Sequence, residues 1–83
     1  MNLIQSIAIK EGATGPINGS WIEALARAKG ATGSIGGSWE QAWADALGVT
    51  ATSGGSWIQA IAEDYGATGP VSGSWLGSID SIL

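Results

Sequence analysis

Cysteine and histidine are absent from this chain, as is phenylalanine, and the first two absences each remove a class of chemistry. Without cysteine there is neither a disulfide framework nor a thiolate metal site. Without cysteine or histidine the common nucleophile and base pairs cannot be assembled, and the serines have no base to activate them. Cations are scarce too. Lys10, Arg27 and Lys29 face seven acids for a net charge of -4, so there is no basic patch for nucleic acid or an anionic membrane surface. No run approaches the ~18 apolar residues of a membrane span. Met1-Asn2-Leu3-Ile4-Gln5-Ser6 lacks the basic segment and continuous apolar run of a signal peptide. The carboxylates are scattered, and the one adjacent pair, Glu63-Asp64, diverges on a helix. No catalytic, cofactor-binding or metal-ligating residue is therefore nominated, no cofactor is expected, and the chain reads as a non-enzyme without a small-molecule site.

What remains is apolar and rich in glycine. Hydrophobic residues make up 45% of the chain and charged ones 12%, a balance too apolar for a disordered segment. Eighty-three residues hold one domain with a modest core.

An 18-residue spacing organises that domain. Ser20, Ser38, Ser56 and Ser74 each follow a glycine and precede a tryptophan, and Asn2-Leu3 stands one period earlier as a degenerate copy. A fixed period marks repeated supersecondary units, here about 2–19, 20–37, 38–55, 56–73 and 74–83 of a single repeat domain. Each unit opens as a helix. Ser20-x-x-Glu23, Ser38-x-x-Gln41 and Ser56-x-x-Gln59 fit the capping box, Asn2-x-x-Gln5 is a variant, and Ser74-x-x-Gly77 departs from it. Gly12, Gly30, Gly48 and Gly66 share the position where a left-handed residue closes a helix. Five short capped helices are predicted, at about 2–11, 20–29, 38–47, 56–65 and 74–83. In the third, Trp39, Ala42, Trp43, Ala46 and Leu47 recur at i, i+3, i+4, i+7 and i+8, a stripe that faces a core. Across the repeats Ile7, Leu25, Trp43, Ile61 and Ile79 form a column of large residues beside a small one of Ser6, Ala24, Ala42, Ala60 and Ser78. Small residues let neighbouring helices approach closely.

The returns between helices are Gly-rich, and Ile17, Ile35 and Val71 recur in them at one position, with Ser53 the weak copy. Ten helical residues rise ~15 Å and eight extended ones span up to ~27 Å, so one return carries the chain back to its starting level. Identical repeats call for identical surroundings, which parallel stacking supplies. The expectation is an all-α, one-helix-per-turn solenoid with extended returns; the alternative is an irregular five-helix bundle. Whether the Ala-Thr-Gly segments pair as strands is open, because strands sit ~4.8 Å apart and packed helices ~9 Å.

Several features invite functional readings. The tryptophans could form a stacking ladder for sugars, but their constant register favours a structural core of Trp21, Trp39, Trp43, Trp57 and Trp75 with Leu25 and Ile61. Thr14, Thr32, Thr50 and Thr68 share a register that suggests ice binding, yet helices ~9 Å apart do not give the close, flat array it needs; a hydroxyl bonding the turn backbone is the plainer account. Asn18-Gly19-Ser20 matches a glycosylation acceptor and reads as a turn. The caps, Asn2, Ser20, Ser38, Ser56 and Ser74 with Gly12, Gly30, Gly48 and Gly66, account for most of the remaining polar and glycine pattern.

The ends differ from those of an ordinary repeat array, which finishes in polar capping units. Leu3, Ile4, Ile7 and Ile9 in the first helix, and Leu76, Ile79, Ile82 and Leu83 in the last, predict two apolar interfaces. Residues 1–29 carry +1 and residues 30–83 carry -5, a polarity suited to end-to-end or partner docking.

The unit Gly-Ala-Thr-Gly-Pro-Val-x-Gly-Ser-Trp-Leu, present over nearly the whole chain in four clear copies and one degenerate one, resembles short Gly-Ser-Trp repeat proteins of the virions of tailed phages, cyanophages in particular. That resemblance implies a small structural protein held in a particle by contacts with other protein subunits, its own copies or a particle component. The expected function is thus a structural or assembly protein, most concretely a virion component that decorates or cements a shell or tail. The alternative is a soluble carbohydrate-recognition module with a Trp ladder, and ice binding is a distant third.

Overall fold

Each helix begins with the same local chemistry. In the computed structural model, which describes residues 2–83, the side chains of Asn2, Ser20, Ser38, Ser56 and Ser74 each accept from the backbone N–H three residues on. That satisfies one of the donors a helix start leaves unpaired. The five helices are α1 (Leu3–Lys10), α2 (Trp21–Ala28), α3 (Trp39–Ala46), α4 (Trp57–Asp64) and α5 (Trp75–Ile82). With their caps they coincide with the spans predicted from the period. The reciprocal half of the capping box is not made. Ser20 N–H donates instead to Ile17 O at 2.9 Å, and Ser38, Ser56 and Ser74 repeat this toward Ile35, Ser53 and Val71.

These bonds belong to a miniature hairpin. Ile17 and Ser20 exchange both backbone bonds across Asn18-Gly19, whose φ angles of 51° and 75° are those of a type I′ turn. The same bridge closes every return, so the sequence Asn18-Gly19-Ser20 is a turn as read. The Ala-Thr-Gly segments do not pair with one another; the bridges are all local and antiparallel.

Helix ends are as regular. Ala13 N–H reaches Ala8 O and Gly12 N–H reaches Ile9 O, and the pattern recurs at Ala31, Val49 and Ala67. This is a Schellman closure, with the glycine at φ 104° in the left-handed region and the next residue packed on the core.

The assembled helices form a compact all-helical fold with no strand among the described residues. The Cα radius of gyration is 11.6 Å, close to the ~11.8 Å of a globular chain of this length. The extents of 31 × 27 × 16 Å describe a disc about one helix thick, an eight-residue helix rising ~12 Å. Each helix packs on its neighbours in sequence, and α1 also packs on α5. The order α1-α2-α3-α4-α5 therefore closes into a ring. An open solenoid keeps its first and last helices apart, and this chain does not.

Successive helical residues turn ~100°, so the residues just before and just after each large-column residue lie to either side of it. Ile7, Leu25, Trp43, Ile61 and Ile79 have no accessible surface and fill the ring axis. Ala8, Ala24, Ala26, Ala42, Ala44, Ala60, Ala62 and Ser78 flank them and are buried as well. Trp21, Trp39, Trp57 and Trp75 are half-buried and packed against this core at the helix starts.

Candidate functional site

Closure turns part of the predicted interface inward. Ile7 and Ile79 lie in the core with zero exposure, and Ile4 and Leu76 are half-buried. Ile7 and Ile79 are not docking residues, because both fill the core where α1 and α5 close on one another. Leu3, Ile9, Ile82 and Leu83 remain 37–46% exposed, joined by Val71 at 43%. No other large hydrophobic residue is exposed among the described residues, so the exposed apolar surface belongs to the first repeat, the last return and the last helix.

The seam between α5 and α1 is built differently from the four other helix contacts. Asp80 stands where the other helices carry Ala8, Ala26, Ala44 and Ala62. Its Oδ1 accepts from Ser6 Oγ at 2.6 Å and lies 3.0 Å from Lys10 Nζ, which also donates to the Asp80 carbonyl at 2.9 Å. The Ser6 hydrogen bond, followed by the Lys10 bond and charge, holds the Asp80 carboxyl below its ordinary range. The opposite charge of the two chain halves is thus partly satisfied inside one molecule. Outside this clasp runs an open groove of about 640 Å³, bordered by Leu3, Lys10, Val71, Gly77, Asp80 and Leu83 among others.

The face where the helices end carries a second polar group. Glu11, Lys29, Leu47 and Tyr65 occupy one repeat position and converge there, which shows that the helices run parallel. The Tyr65 hydroxyl donates to Glu11 Oε2, and Lys29 Nζ lies 3.2 Å from the same oxygen. Burial, then the hydrogen bond and charge of Glu11, push the Tyr65 hydroxyl well above its ordinary pKa. The Trp43 indole stands edge-on to Tyr65, ring centroids 6.4 Å apart. Its N–H acts weakly in the opposite sense on Tyr65 but does not reach hydrogen-bond geometry, and it is buried without a partner.

At the opposite rim Glu23 is buried to 5% and receives Asn18 Nδ2 at 3.2 Å and Arg27 Nε at 3.1 Å. Arg27 lies over the Trp39 ring, 5.0 Å from its centroid. These polar groups were not singled out from sequence. The Ala-to-Asp change at position 80, beside Ser6 in the small column, was the available sign of a special seam. Thr14, Thr32, Thr50 and Thr68 are all exposed.

Among the described residues no group of three or more acidic, His or Cys side chains is placed to hold a metal ion, and no helix is long and apolar enough to cross a membrane. No family model, curated protein or solved structure matches the chain.

Proposed function

We propose that this chain is a non-enzymatic structural or assembly protein that acts through protein–protein contacts. The observation that carries the reading is that, among the described residues, the exposed large apolar side chains, Leu3, Ile9, Val71, Ile82 and Leu83, belong to the two ends that meet at one seam. Apolar side chains gathered on one side of a small domain are the mark of an interaction surface, and the closed ring supplies a rigid mount for it. The more specific form, a small virion component that decorates or cements a shell or tail, draws on the Gly-Ser-Trp resemblance of the repeat unit.

Light scattering over a wide concentration range tests the reading. The expected result is a mass that rises above the monomer with concentration and returns to the monomer in an Ile82→Glu, Leu83→Glu variant with unchanged helicity. A wild-type chain that stays monomeric at every concentration, and that binds no peptide or protein through the seam, would contradict it.

A further inference from the structure

Asn18 is the one hairpin-turn residue whose side chain is both chemically labile and tied to a buried charge. Positions 18, 36, 54 and 72 open the four turns with φ between 51° and 58°, and Gly36, Gly54 and Ser72 carry no amide. Asn18 is exposed, and Gly19 after it has no side chain to crowd its backbone nitrogen. That nitrogen donates to no backbone acceptor, the turn being closed by the two bonds between Ile17 and Ser20. Inward, Asn18 Nδ2 donates to the Glu23 carboxylate at 3.2 Å, and Glu23 is only 5% exposed. The other side chain bonded to that carboxylate is Arg27, through Nε at 3.1 Å. This juxtaposition belongs to the repeat: a Cβ at Gly36 would lie 3.3 Å from Gln41 Oε1, and one at Gly54 2.7 Å from Gln59 Oε1. Only the first repeat sets an amide against a carboxylate there.

We propose that Asn18 is a site of spontaneous covalent modification, deamidation to aspartate and isoaspartate, and that conversion sets a second carboxylate against buried Glu23 in place of a donor. The Gly19 nitrogen loses its proton to hydroxide or buffer base and attacks Asn18 Cγ. The N–Cγ bond forms, the Cγ–Nδ2 bond breaks, and Nδ2 takes up a proton and leaves as ammonia. Water then opens the cyclic imide. Cleavage at Cγ gives aspartate; cleavage at the Asn18 carbonyl carbon gives isoaspartate, with the chain rerouted through Cγ. Nothing is oxidised or reduced. The reacting geometry is reached when the two-bond hairpin opens and the amide leaves Glu23, a local event that leaves the helices in place. A buried carboxylate that loses a donor and gains a like charge disfavours the closed return, so the modification loosens residues 12–19 from α2. Asn2, the other asparagine, precedes Leu3, whose side chain crowds the attacking nitrogen, and serves as an internal control.

The test incubates the folded 83-residue chain in mildly alkaline buffer and maps its proteolytic peptides by mass and by fragmentation that distinguishes isoaspartate. The Asn18 peptide should gain the mass of an amide-to-acid exchange, as both products and faster at higher pH, with Asn2 at least tenfold slower. Asn18→Gly, the residue found at positions 36 and 54, should show no conversion there and unchanged helicity. Asn18→Asp should lower the melting temperature by ~4 °C or more, the scale of one lost hydrogen bond in a domain of this size. In a Glu23→Gln background, where the partner can donate, that difference should vanish. Four results would each overturn the inference: no conversion of the folded chain by the time an unfolded peptide of residues 12–23 has converted fully, equal conversion of Asn2, aspartate without isoaspartate, or an Asn18→Asp effect that is absent or indifferent to Glu23→Gln.

Discussion

Replacing Trp43 separates a ring with a filled axis from a looser arrangement of the same helices. Trp43 is the one aromatic member of the axial column, with zero exposure, between four aliphatic residues of equal burial. Truncation to alanine leaves a cavity that its neighbours cannot fill without shifting whole helices, and such truncations cost ~3–5 kcal/mol. A domain of 83 residues has ~4–12 kcal/mol in total. Trp43→Ala should therefore be largely unfolded or melt at least ~12 °C lower, taking ~4 °C per kcal/mol. Trp57, half-buried at the rim, should cost less, ~1–2 kcal/mol on the same change, since part of its surface is already wet. Urea unfolding followed by far-UV circular dichroism measures both without relying on tryptophan emission. Equal losses in Trp43→Ala and Trp57→Ala would refute the axial assignment. The unpartnered indole N–H adds a refinement: Trp43→Phe removes a buried donor worth ~1–3 kcal/mol of desolvation and should be far milder than alanine.

The polar clasps give pH signatures. Asp80 is held below its ordinary 3.8, so its contribution is present above that value and is lost as pH falls below it. Asp80→Asn should flatten the acid limb of a stability-against-pH curve, and an unchanged limb would show that the seam clasp is absent in solution. Tyr65 is raised above its ordinary 10.0, so its neutral form stabilises the fold up to about that pH and the benefit fades at higher pH. Thermal melts between pH 8 and 11 should show this loss in the wild type and a smaller one in Tyr65→Phe. Gly77 departs from the capping box because a Cβ there would come within 2.5 Å of the Val71 carbonyl oxygen. Gly77→Ala should destabilise even though alanine favours helices by ~1 kcal/mol. Gly33→Ala, with open space around it and no positive φ, should be neutral or mildly stabilising.

Much of this architecture was legible in the spacing of a few residue types. Ser20 and its equivalents announced helix starts, Gly12 and its equivalents announced ends, and the column through Trp43 announced the core, because capping and burial are local or periodic properties. Closure was not legible in the same way. The period states that every helix meets its neighbours identically but leaves open the angle between the two contacts. That angle is a property of packing in three dimensions. The terminal helices consequently read as two exposed faces, although Ile7 and Ile79, members of the large column, meet the axis. The seam had one marker, Asp80 in a column otherwise held by Ala8, Ala26, Ala44 and Ala62. The paired left-handed turn residues Asn18-Gly19 were visible as a turn, but the tiny hairpin that employs the Ser20 N–H emerged only from the backbone bonds.

The central claim is that α1 closes onto α5 within one molecule. The direct test is a nuclear Overhauser spectrum of a dilute sample of monomeric mass, read at the Ser6 and Asp80 side chains and at Lys10 against Asp80. Closure predicts intramolecular cross-peaks between the β protons of Ser6 and Asp80 and between the ε protons of Lys10 and the β protons of Asp80, whose polar atoms lie 2.6 and 3.0 Å apart. Their absence while the contacts between successive helices persist, or their appearance only between labelled and unlabelled copies, would contradict the ring.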